Sequence, residues 1–267
     1  MKVLVTFAVE AEFSAWRARH KFQQLELGVA EDGTKVHVYE ARIGDEESIS
    51  TNKVWVFLTG VGWGNVKFAF RKVMSGWPTY CISSGLSGGL KESYRSGDVV
   101  VAQGAQLLGT NLRIEGHRPL VRAAMACGAR LCQSSLTVDS ILALSSQKRA
   151  AGEHGDIVDM ESYHVLTAAS GKKIPASVVI RSISDTVEEN IPLDFTRVAD
   201  ARGGLKLGSL LGEIGRRPQK IPALIRFGRR SRSATNSLAD FLDRYIPTIQ
   251  HGTEAWSNEH FEQVAAQ

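Results

Sequence analysis

Cysteine is scarce: Cys81, Cys127 and Cys132 are all that 267 residues carry. An odd number rules out a complete disulfide framework, and the spacing matches no zinc motif. The expectation is therefore a chain kept reduced, in a cytoplasmic setting, with no metal. Long apolar runs are lacking too. None approaches the roughly 18 to 20 residues that span a bilayer, so a soluble or membrane-peripheral protein is expected. The opening Met1-Lys2-Val3-Leu4-Val5-Thr6-Phe7-Ala8-Val9 begins like a secretory leader, but Glu10 and Glu12 interrupt it before any cleavage segment. It predicts a first strand instead. No internal repeat or low-complexity tract occurs. No Gly-Lys-Ser/Thr follows a glycine turn, which excludes a P-loop.

What is present is ordinary in bulk and uneven in detail. With 43% hydrophobic and 22% charged residues, the chain can build one large α/β domain with an appendage. Its net charge of +4 conceals a basic block: residues 201–232 hold nine Lys or Arg against the single acid Glu213, so the remainder of the chain is negative. Between Arg216 and Arg232 the cations interleave with apolar residues, the composition of a segment lying on an anionic membrane surface, where each basic residue contributes roughly 1 kcal/mol. Nucleic acid is not the expected partner, since no recognition module accompanies the charge. A solvated basic face is the alternative reading of residues 203–232.

Apolar runs predict strands at Met1–Val9, Lys35–Glu40, Val54–Thr59, Tyr80–Ser84, Asp98–Ala102, Ile157–Glu161 and Ser177–Asp185. Helical composition falls between them, at residues 10–19, 64–75, 118–127, 145–152 and 161–170, with glycine turns at Gly60, Gly85, Gly97 and Gly171. This alternation predicts an α/β fold with a central mixed, mostly parallel sheet flanked by helices on both faces. The pattern breaks near residue 190. Three parts are expected: a catalytic domain over 1–190, a basic and partly helical extension over 191–250, and a polar, frayed tail over 251–267. A final helix should run from Ser237 to Ile246, where Pro247 stops it.

Two of the predicted strands end on acids, Glu161 and Asp185. In open α/β sheets, ligands gather outside such carboxyl ends. Three glycine-rich turns follow apolar runs: Gly60-Val61-Gly62-Trp63-Gly64, Gly85-Leu86-Ser87-Gly88-Gly89-Leu90 and Gly97-Asp98. Such turns let backbone N–H groups approach a ligand, although plain tight turns look the same. Gly60-x-Gly62-x-Gly64 lacks the dinucleotide-binding spacing.

In this order and spacing, over residues 1 to about 190, the motifs Ala8-Val9-Glu10-Ala11-Glu12, Gly60-Val61-Gly62, Gly85 to Leu90, Gly97-Asp98, Met160-Glu161-Ser162 and Ser184-Asp185 resemble the nucleoside phosphorylase and nucleosidase superfamily. The N-terminus is most similar to the methylthioadenosine/S-adenosylhomocysteine nucleosidase branch. The basic extension and the wording around Leu86 look most like the hopanoid-associated phosphorylases, or adenosylhopane nucleosidases. The resemblance implies that Asp185, held by Ser184, protonates the purine at N7, that Glu161 binds ribose hydroxyls with Met160 against the sugar face, and that Glu12 activates water. It places Gly62, Gly85, Leu86 and Ser87 around the sugar and nucleophile, with Arg181 balancing the acids or serving as a structural ion-pair partner. Ile141 and Leu142 lie in the segment that meets the base. Two departures stand out: Ile141 replaces an aromatic that would stack on the purine, and Leu86 replaces a polar Ser.

Breaking an N-glycosidic bond needs an acid facing the base, and a carboxylate and nucleophile facing the oxocarbenium-like sugar. The expectation is a purine nucleosidase, acting on adenosylhopane to give adenine and ribosylhopane, needing no cofactor and forming a homodimer. The alternatives are a phosphorylase using phosphate as co-substrate, a methylthioadenosine/S-adenosylhomocysteine nucleosidase, and a non-catalytic nucleoside-binding scaffold at a membrane surface. Glu10 is expected as a cap or ion-pair partner, His164 as structural, and Trp63 as core or interface.

Overall fold

The computed structural model describes residues 1–44, 52–63, 66–171, 176–192 and 221–265, with side chains followed as far as Ile249. At its centre lies β1 (Lys2–Phe7), whose Val3, Leu4 and Val5 are wholly buried because helices cover both faces of the sheet. It pairs in parallel with β4 (Asn52–Leu58) on one side and β5 (Tyr80–Gly89) on the other. Beyond β4, the antiparallel strands β3 (Lys35–Ile43) and β2 (Gln23–Val29) finish that arm. Between β1 and β2 runs α1 (Glu10–Arg17), and α2 (Lys67–Met74) precedes β5.

The other arm closes on itself. β5 pairs in parallel with β10 (Ala176–Asp185), which pairs antiparallel with β6 (Val99–Leu107). From there β8 (Arg130–Thr137) and β9 (Ile157–Asp159) lead back to β5. The five strands form a ring, with the short β7 (Arg113–Glu115) hung on β6. Helices α3 (Arg118–Ala126), α4 (Ser145–Ala151) and α5 (Ser162–Ser170) connect its strands. The result is the expected mixed sheet covered by helices. In it, β10 carries all ten of its residues buried, and a register shift between Ile183 and Asp185 brings Asp185 opposite Gly88. Bulges of this kind re-aim a side chain.

Two sequence expectations change here. The run from Gly85 to Gly89 is the second half of strand β5, and no turn occurs at Gly85. Glycine is needed there for closeness: Gly85 sits at φ +137°, and a Cβ on it would lie 2.6 Å from Arg181 Nη1 and 2.8 Å from Glu12 Oε2. Pro247 also fails to stop the last helix, since α6 runs from Ile221 to Ala265 and takes in most of the tail expected to fray. An interior proline costs about 3 kcal/mol. Against that, α6 buries Leu238, Phe241, Leu242, Tyr245, Ile246 and Ile249 to 0–1% exposure in the main core with Phe13, Trp16 and Leu120. Each such side chain contributes about 1.5–3 kcal/mol, so packing prevails. Polar contacts fix the docking: Tyr245 Oη donates to Leu120 O (3.0 Å), Asn52 Nδ2 to Ile246 O (2.9 Å) and Trp16 Nε1 to Asp243 Oδ1 (2.7 Å). Of the basic block, residues 201–220 lie outside the described residues, as do Gly64 and Asn65, while residues 221–232 begin α6.

Candidate active site

The chemistry-bearing side chains come from the carboxyl ends of β9 and β10, the middle of β5 and the first turn of α1. Their framework is a buried ion pair. Arg181, 1% exposed on β10, places Nε 3.2 Å from Asp159 Oδ2 and Nη2 3.8 Å from Glu161 Oε2. It also donates through Nη1 to Ser84 O (3.0 Å) and through Nη2 to the hydroxyls of Ser83 (3.2 Å) and Ser162 (2.9 Å).

Asp159 is the other half of the framework. It accepts from Ser135 Oγ (2.7 Å), Thr137 Oγ1 (3.0 Å), the Ser162 hydroxyl, and the amides of Glu161 (3.1 Å) and Ser162 (3.0 Å) at the start of α5. Burial alone would raise its pKa. The Arg181 guanidinium and the Ser162 and Ser135 donors outweigh burial and hold the carboxyl below its ordinary value. Through the amides of Glu161 and Ser162, Asp159 thus pins the start of α5 and the backbone that carries Glu161.

Glu161 is less well compensated. Its Oε1 accepts from Gly62 N (2.9 Å), which puts the Gly60–Gly62 turn against the acid. Burial pushes its pKa up to about 7; Arg181 and the Gly62 amide pull the other way, while Asp159 and Glu12 add to the rise. Glu12 also feels the guanidinium, with its Oε2 accepting from Ala8 N (2.9 Å) and its Oε1 from Leu86 N (3.0 Å). Burial raises its pKa as well, opposed by Arg181 and those amides. Three carboxylates, Glu12, Asp159 and Glu161, therefore face one guanidinium.

Asp185 stands apart from that cluster. Ser184 Oγ donates to its Oδ1 (2.6 Å) and also to Ser87 O (3.3 Å), while the ammonium of Lys148 on α4 meets Oδ2. Lys148 was not foreseen, because Ser145-Ser146-Gln147-Lys148-Arg149 looks like a solvated helix face and the partner is 37 residues away. Asp159 also went unremarked within its apolar run. The one available signal was the density of Ser and Thr on β8, which supplies two of its donors.

A cleft of about 400 Å³ opens beside Glu161, lined by Val61, Gly62, Trp63, Val138, Asp139, Met160 and His164. Trp63 and His164 stack there with centroids 5.7 Å apart and planes 13° from parallel. Burial, opposed by Asp139 and Asp159, keeps the pKa of the imidazole below its ordinary value. Leu142 and Met160 pack together with Val138 and Val158, and Ile141 is half-buried on the same β8–α4 loop. Glu10 pairs with Arg17 at the surface (2.5 Å). Among the described residues, no three His, Cys, Asp or Glu side chains converge as a metal set. A second cleft of about 380 Å³, around Leu90, Arg149 and Val187, contains no buried acid.

A ring-closed α/β sheet with acids gathered at strand ends defines an α/β protein built around a polar, anionic site. More particularly, the chain belongs to the Phosphorylase superfamily, whose model matches residues 2–205. Among curated proteins no sequence matches it. Several solved structures share the fold. The S-adenosylhomocysteine nucleosidase of Streptococcus pyogenes, in complex with 5-methylthiotubericidin, is 18% identical with TM-score 0.66, covering 92% of this chain and 96% of its own. A futalosine hydrolase mutant of Helicobacter pylori is 14% identical with TM-score 0.65 (92% and 98%). The 5'-methylthioadenosine/S-adenosylhomocysteine nucleosidase of Neisseria meningitidis, in complex with methylthio-immucillin-A, is 18% identical with TM-score 0.63 (92% and 99%).

Proposed function

We propose that this protein is a purine nucleosidase that hydrolyses the N-glycosidic bond of an adenosine-type nucleoside. Asp185 gives its proton to N7 of the purine, and the C–N bond breaks with its electron pair passing to the base. Ionised Glu161 accepts hydrogen bonds from the ribose hydroxyls, with Met160 against the sugar. Water adds to the oxocarbenium-like carbon, and Glu12 takes its proton. A carboxylate raised above its ordinary value by burial is a stronger base for that task.

The observation that carries this reading is the number of acids around Arg181: Glu12, Asp159 and Glu161 against one guanidinium. At an effective dielectric near 20, each carboxylate 4 Å from an anion costs about 4 kcal/mol, so such a pocket favours neutral water over phosphate as nucleophile. A phosphorolytic reaction would need that balance reversed.

For the substrate's 5' side we favour a lipid-linked nucleoside, adenosylhopane, met at an anionic membrane surface. Support comes from the start of α6, where Ile221 and Ile225 are 39% and 51% exposed and are followed by exposed Arg226, Arg229 and Arg230. A methylthioadenosine/S-adenosylhomocysteine nucleosidase would have no use for that surface.

The test is adenine release from methylthioadenosine, S-adenosylhomocysteine and adenosylhopane, with and without phosphate. Hydrolysis proceeds equally in both and yields free ribosyl product, whereas a sugar 1-phosphate formed only with phosphate would refute it. Asp185→Asn should lower kcat by about a hundredfold or more, the usual scale of general acid catalysis.

A further inference from the structure

Lys148 is the odd residue of its helix. Its neighbours Ser146, Gln147 and Arg149 are exposed, yet Lys148 is 0% exposed. Burying an ammonium costs several kcal/mol unless its protons find acceptors. Here all three do: Asp185 Oδ2, Thr186 O (3.0 Å) and Glu189 O (2.8 Å). The socket is therefore made of the acid and the turn that follows it.

That turn is itself tied down. Thr186 N donates to Glu189 Oε2 (3.1 Å), and Glu189 N donates back to the Thr186 carbonyl (3.1 Å). The other oxygen of Glu189 pairs with Arg230 on α6, and Glu188 pairs with Arg149 on α4. With Oδ2 held by Lys148 and Oδ1 by Ser184, the Asp185 carboxyl cannot turn about its terminal torsion, which is otherwise soft.

We infer that Lys148 is a positioning residue for Asp185: it fixes the plane of the carboxyl so that the proton Asp185 carries as the acid, on a lone pair that neither Lys148 nor Ser184 occupies, is delivered along one line, and the 186–189 turn with Arg230 keeps the ammonium in place. This rests on Asp185 being the general acid. A misplacement of about 1 Å in a reacting group can cost a hundredfold in rate, which gives the scale of the effect.

The test uses the full-length protein. Lys148→Ala, with folding checked by circular dichroism, should lose about a hundredfold in kcat while KM for the nucleoside stays within about threefold. Added ethylammonium, which fits the vacated socket, should recover part of the loss. A staple that merely joined α4 to β10 would show no amine rescue, and that result, or an unchanged kcat, overturns the inference. If Lys148→Ala does not fold, Glu189→Ala serves, because it removes the carboxylate between Thr186 and Arg230 without touching the core. It should lower kcat about three- to tenfold at constant KM, by loosening the same group, and an unchanged kcat would again be decisive against it. A wild type that releases no purine from any nucleoside sinks the nucleosidase reading and this inference with it. An active wild type with unaffected variants sinks this inference alone.

Discussion

Glu161 shows how a single carboxyl links stability to activity. The unfolded chain titrates it near 4.5, whereas the folded protein keeps its proton to about 7. Between those values the native state binds a proton that the unfolded state does not, so stability declines as pH rises through this window and then levels off. Glu161→Gln should flatten that decline and gain on the order of 2 kcal/mol above pH 7, read as the melting temperature from pH 5 to 8. It should also abolish purine release. An unaltered pH slope in the variant would show that burial of this carboxyl is not its source. In the parent, the proposed contact of ionised Glu161 with the ribose requires kcat/KM to rise with pH up to about 7. Gly85 makes a steric counterpart: Gly85→Ala must fit a Cβ within 3 Å of both Arg181 and Glu12 at a positive φ, and should lose about 2–3 kcal/mol in urea unfolding along with purine release. The acids that end apolar runs, Glu161 and Asp185, could be picked out from sequence because strand ends are visible there. Lys148 and Asp159 could not, since what distinguishes them is the burial and partners that only the closed ring supplies.

Among the elements, those with a strong apolar rhythm were legible. β1, β4, β10 and helices α1 to α5 fall close to where periodicity puts them. β2 was missed because its first four residues, Gln23 to Glu26, are exposed, so it carries no buried alternation. β7 is three residues long. β8 hides its strand character behind Ser134, Ser135 and Thr137, buried polar residues of which two serve Asp159. For α6, local sequence pointed to a stop at Pro247, and tertiary packing overrode it. Its stabilising role can be measured directly: Leu242→Ala, wholly buried on that helix, should cost about 3 kcal/mol in urea unfolding. A loss below 1 kcal/mol would mean that α6 is a loosely held appendage.

Charge is distributed unevenly over the whole molecule: an anionic site and a cationic start to α6, in a chain with a net charge of +4. No helix among the described residues is long and apolar enough to cross a membrane. At roughly 1 kcal/mol per basic residue, replacing both Arg226 and Arg229 with Gln should weaken binding to phosphatidylserine vesicles about thirtyfold and leave neutral vesicles unaffected. Equal binding by parent and variant would remove the membrane from the account. The ring has a further consequence for finding the true substrate. Glu12, Glu161, Asp185 and the Leu86 amide belong to four elements brought together only when β5, β9 and β10 close, so a nucleoside that bridges them binds the closed ring and not the open chain. Such a ligand at a hundred times its Kd adds about 2.7 kcal/mol to global unfolding. The molecule can therefore rank candidate nucleosides, turned over or not, by how far each raises its melting temperature.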